Sequence, residues 1–89
     1  MKIIKNDGRL EDFDSSKIKT SIENAASDAG SVLNSSDLRI LASDVEKILR
    51  DIRKDSLVTS SYEVTGAVIK VLKRDEFYNT LKAYVEFDK

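Results

Sequence analysis

Lys5 and Lys17 are the side chains in this chain best suited to chemistry, and what they offer is a grip on an anion. Lys5 ends the β-prone run Ile3-Ile4-Lys5, and Lys17 stands in the first turns of a helix that Asp14 or Ser15 can cap. The short segment between them brings both ammonium groups into one neighbourhood. Two such groups beside free helix N–H groups can hold a phosphate. A second helix start, at Val58-Thr59-Ser60, offers a hydroxyl and free N–H groups to a phosphate or sugar oxygen. Helix capping accounts for Thr59 or Ser60 equally well. The chain has neither His nor Cys, which removes the usual zinc ligands and the commonest general base. An independent metalloenzyme and a Ser-His or Cys-His hydrolase are thereby excluded. No Gly-rich strand-to-helix loop of the P-loop or dinucleotide type is present, so a phosphate must be held by another arrangement.

The elements that must position these residues follow from local pattern. Asp7-Gly8 between two β-prone runs predicts a two-residue hairpin turn with φ > 0 at its centre. Four helices follow. The first spans about 16–29, with Ile18, Ile22, Ala25, Ala26 and Ala29 on one face and Gly30 ending it. In the second, Leu38, Leu41, Ala42, Val45, Ile48, Leu49 and Ile52 make one apolar stripe. Ser35 or Ser36 caps its start, and Arg50, Arg53 and Lys54 complement the dipole at its end. The third begins near Thr59, where Ser60-x-x-Glu63 forms a capping box, and Ala67, Val68, Val71 and Leu72 turn inward. Gly66, costly inside a helix, is expected to mark close helix packing. The fourth follows Asp75 and buries Phe77, Leu81, Tyr84 and Val85. The fold class expected is α+β, a small four-helix bundle capped by an N-terminal β-hairpin, with residues 1–89 as a single domain.

Composition agrees with that scale. Eighty-nine residues with 40% hydrophobic and 35% charged side chains suit one modest core and a hydrated surface. Fifteen basic residues against sixteen acidic ones give a formal charge of −1, without the basic excess that nucleic acid backbones attract. No apolar run is long enough to span a membrane, and the N-terminus lacks a signal-peptide core. A cytoplasmic setting is the expectation, with no membrane partner.

The opening segment resembles the ATP-cone family, which begins Val-x-Lys-Arg-Asp-Gly, then Glu-x-Phe-Asp, then Lys-Ile. The matching residues are Ile3, Lys5, Asp7, Gly8, Glu11, Phe13, Asp14, Lys17 and Ile18, and Asn6 stands where the family has Arg. Val58-Thr59 resembles the family's Val-Thr segment. Leu81-Lys82-Ala83-Tyr84-Val85 is similar to its Ala-x-x-Tyr-Ile ending, with Asp88 near the position of a family Arg. The resemblance implies that Lys5 and Lys17 line a nucleotide pocket, with Asn6 beside them. It implies that Ile3 flanks the base or ribose and that Thr59 approaches the nucleotide. Glu11 would accept from an adenine amino group or hold a partner lysine. Asp14 would be cap and ligand together, and Glu63 would stand near the ribose or base while also serving the capping box.

By the same resemblance the chain is a regulatory module rather than an enzyme. It would bind ATP or dATP, with Mg2+ carried on the phosphates, and control a fused or separate partner protein, as in ribonucleotide reductases and their repressor. Self-association into a homo-oligomer fits that role. A different class of reading is a degenerate cone that has lost nucleotide and serves as a protein-interaction or oligomerisation module. A winged DNA-binding domain is disfavoured by the balanced charge.

Overall fold

A computed structural model of the chain describes residues 1–5, 7–52 and 58–87. Strand β1 (Lys2–Ile4) pairs antiparallel with β2 (Leu10–Asp12), as the hairpin pattern requires. The turn differs from expectation. Gly8 has φ 86°, but Asp7 is not among the positive-φ residues. Gly8 N–H donates to Lys5 O and Lys5 N–H to Arg9 O, both at 2.8 Å. The connection is thus a three-residue loop with glycine at its left-handed position, the next commonest hairpin after the two-residue kind. Asp7 carboxylate oxygens accept from Arg9 N–H at 3.1 Å and from Arg9 Nε at 2.6 Å, tying the loop to its own exit.

Helix α1 (Ser15–Asp28) is capped by Asp14, not Ser15. One Asp14 oxygen accepts from Ser16 N–H at 2.9 Å and from Ser16 Oγ at 2.6 Å. The far end closes through Gly30 (φ 71°), whose N–H donates to Ser27 O while Ser31 N–H reaches Ala26 O. Those paired bonds are a Schellman ending, and Ala29 caps the helix half-exposed rather than joining the core face.

Helix α2 (Ser35–Ile52) starts one residue earlier in its capping than expected. Asn34 Oδ1 accepts from Asp37 N–H at 2.8 Å, and Asp37 Oδ2 accepts from Asn34 N–H at 3.4 Å. The reciprocal pair satisfies two free donors, which neither Ser35 nor Ser36 does here. Leu38, Leu41, Ala42, Val45 and Leu49 are buried and Ile48 is partly so, but Ile52 is 59% exposed. The stripe leaves the core at its last turn. Of the cations expected at that end, Arg50 is present, and Arg53 and Lys54 lie outside the described residues.

The largest departure comes next. Val58–Ser60 is a strand, β3, before helix α3 (Ser61–Arg74) begins. It runs parallel to β1, giving the sheet order β2-β1-β3. A three-residue parallel strand carries no period of its own, so only its partner β1 reveals it. Ser60 is still the N-cap, accepting from Glu63 N–H at 3.2 Å. Gly66 is exposed, and a Cβ there would meet nothing within 4 Å, so it does not mark a close helix crossing inside the molecule. Helix α4 (Tyr78–Phe87) follows a second Schellman ending, in which Glu76, not glycine, adopts φ 63°. Glu76 N–H donates to Lys73 O and Phe77 N–H to Leu72 O. Phe77, Leu81 and Tyr84 pack on the core, Val85 is exposed, and among the described side chains of α4 the buried one is Thr80.

The molecule is α+β: four helices and a three-stranded sheet among the described residues. Ile22, Leu41, Val45, Leu49, Val68, Val71 and Leu72 form the sealed centre, contributed by α1, α2 and α3. Arg74 on α3 ties to α2 through Asp44 at 2.6 Å and also pairs with Asp75. No helix among the described residues is long and apolar enough to cross a membrane.

Candidate functional site

Register decides which side chains share a face. Ile3 pairs with Glu11 on one side and with Thr59 on the other, so the three form a row across the sheet. That row faces the helices, because Ile3 and Thr59 are buried and Glu11 is partly so, while their strand neighbours are more exposed. Against it lies a cleft of about 300 Å3. The sheet side contributes Ile3, Lys5, Glu11 and Asp12. The start of α1 contributes Asp14, Lys17, Ile18 and Ser21, the start of α3 contributes Ser61, Val64 and Thr65, and α4 adds Tyr84. Two helix N-termini thus open on one cleft, and their dipoles favour negative charge there. Ile3, Ile18, Val64 and Tyr84 make an apolar wall beside this polar mouth. Concave sites with such a wall and a few convergent polar groups are the usual form of a small-molecule pocket.

The charges in the cleft are closely interlocked. One oxygen of Glu11, Oε2, lies 3.6 Å from Lys5 Nζ and 3.8 Å from Lys17 Nζ. Asp12 is bonded to Lys2, whose ammonium holds its carboxyl below the usual carboxylate range. Asp14 is held low by the Ser16 hydroxyl and then by the Ser16 backbone N–H. Lysines and carboxylates therefore balance, and the cleft is not a bare cationic trap. The Glu11 contacts exceed hydrogen-bond length and are open to water, where such pairs contribute about 0–1 kcal/mol each.

Of the residues singled out in the sequence, Ile3, Lys5, Glu11, Asp14 and Lys17 converge on this cleft. Asn6 lies outside the described residues. Glu63 sits in the first turn of α3, beside rather than among the lining residues. Thr59 is 2% exposed on β3, and its Oγ1 is buried without a hydrogen-bond partner. An unpaired buried hydroxyl costs about 1–3 kcal/mol, and its row position puts Thr59 in the sheet next to Ile3, beside the lining residues rather than among them and not at a helix tip. Sequence reasoning had not counted Val64, Thr65 and Tyr84 as lining. Tyr84 stood in the quoted C-terminal motif, but periodicity alone read it as core.

No curated protein matches the chain. The family model of the ATP cone domain matches residues 1–89, its whole length. With the hairpin, the paired helix starts and the lysine-bearing cleft in place, the chain belongs to the ATP-cone domain family, a family of regulatory nucleotide-binding modules.

Proposed function

We propose that residues 1–89 act as one regulatory module that binds ATP or dATP in this cleft and reports the bound nucleotide to a fused or separate partner protein. The observation that carries the reading is the convergence of Lys5 and Lys17 with the starts of α1 and α3 beside an apolar wall. In it, Lys5, Lys17 and the neighbouring Asn6 take the phosphates, and Mg2+ enters on the phosphates, which need few protein carboxylates. The base lies against Ile3, Ile18, Val64 and Tyr84. Thr59 Oγ1, buried and unpaired, meets a polar ligand atom, and Glu63 and Asp14 stand at the rim. Glu11 accepts from the adenine amino group once the lysines are engaged elsewhere. ATP and dATP differ by one ribose hydroxyl, so they regulate by differing affinity for two arrangements of the helices or of an oligomer. The module binds and signals in a cytoplasmic protein and catalyses nothing itself.

The test is isothermal titration of the 89-residue chain with ATP, dATP and GTP in the presence of magnesium. Saturable heat with the adenine nucleotides and none with GTP is the expected outcome, and silence with all three overturns the reading. A second reading, an interaction module without nucleotide, draws support from the pairing of Glu11 with both lysines, which already offsets part of their charge. Under it, nucleotide leaves the melting temperature unchanged.

A further inference from the structure

The carboxylate of Glu11 converges on both lysines through the same oxygen, at 3.6 Å and 3.8 Å, although other anions line the cleft. Asp12 is engaged by Lys2 and Asp14 by Ser16, so Glu11 is the anion that faces Lys5 and Lys17 together. Its place on β2, directly opposite Ile3, fixes its backbone, so the contact is released by rotation of side chains, that of Glu11 or those of the lysines. The geometry points to Glu11 as an internal anion that occupies the lysine pair in the empty cleft and favours ligands carrying more than one phosphate over those carrying one. The inference rests on the reading that these lysines take phosphate, and it adds a selectivity that the reading does not contain.

The physical argument is one of competition. A single phosphate must expel Glu11 and then sit beside the expelled carboxylate, a like charge in a confined space. A polyphosphate offers each ammonium a phosphoryl group of its own and carries more charge than the carboxylate it replaces. Both ion pairs are solvent-exposed and weak, so the device is a bias and not a lock. Glutamine at position 11 keeps an acceptor oxygen but removes the charge. Aspartate keeps the charge but is one methylene too short to reach both lysines from the same backbone position.

The experiment titrates the wild-type chain, Glu11→Gln and Glu11→Asp with orthophosphate, inorganic triphosphate and ATP, at fixed ionic strength and without sulfate. Inorganic triphosphate has no base, so any contact of Glu11 with adenine leaves its binding unaffected. The expected result is that both variants bind inorganic triphosphate about tenfold more tightly than wild type, with a larger gain for orthophosphate. If Glu11→Gln shows no gain, the inference is wrong. If Glu11→Gln gains and Glu11→Asp matches wild type, general repulsion explains the effect and the bridge is overturned. Wild-type ATP binding that is lost in Lys5→Ala, without a gain in either Glu11 variant, keeps the nucleotide reading and removes this one. A gain for triphosphate in both variants while ATP binds none of the three proteins does the reverse.

Discussion

At the scale of single residues, the lysines and Thr59 make separable predictions. Lys5→Ala and Lys17→Ala each remove a charge-assisted phosphate contact, and ATP binding should weaken at least about tenfold. Both side chains sit at the cleft mouth in weak pairs, so melting temperatures should stay near wild type. Unchanged titration curves for both variants would mean that the phosphates lie elsewhere. Thr59→Val keeps the shape and deletes the buried hydroxyl that has no partner. Without nucleotide the variant should be about 1 kcal/mol more stable, and the further stabilisation by ATP should shrink. A variant less stable than wild type when empty would show that the hydroxyl already has a partner.

At the scale of elements, the ends and interiors of helices carry the tests. Gly66 faces open space in the middle of α3, so Gly66→Ala should stabilise the fold by about 1 kcal/mol, read by denaturant midpoint. A loss instead would expose a contact on that face. Glu76 holds φ 63° at the α3 ending, a conformation that glycine adopts freely, and Glu76→Gly should raise the melting temperature. The Asp14 cap makes part of α1 stability pH-dependent. Its carboxyl is held below its ordinary value of 3.8 in the folded state. The contribution is therefore full above that value and fades as pH falls through the lower folded one. An acid titration of Asp14→Asn, followed by far-UV circular dichroism, should lack this component of the wild-type curve.

At the scale of the whole molecule, Leu41 is 1% exposed in the centre formed by α1, α2 and α3, and Leu41→Ala should cost about 2–5 kcal/mol. A melting temperature that held steady would misplace that centre. Much of this architecture was legible in the chain. The α2 stripe, the Gly30 ending and the Ser60–Glu63 start are local signals, each decided by residues within a few positions of one another. The family was legible too, because its opening motif is short and contiguous. Local pattern also indicated which types of side chain could hold an anion. It could not set the hairpin loop at three residues or find β3, whose existence depends on a partner strand more than fifty residues earlier. It read Gly66 as a contact and Ile52 and Val85 as core, since spacing tells which residues share a face but not where a neighbouring element stops. What the sequence by itself determined is therefore the set of helices, the Ser60 cap and the Gly30 ending, and the lysines available. What only the tertiary structure decided is that Ile3, Glu11 and Thr59 form one row, that two helix starts open on it, and that Glu11 lies between Lys5 and Lys17. Those facts depend on strand register and long-range packing, which close only when distant segments meet.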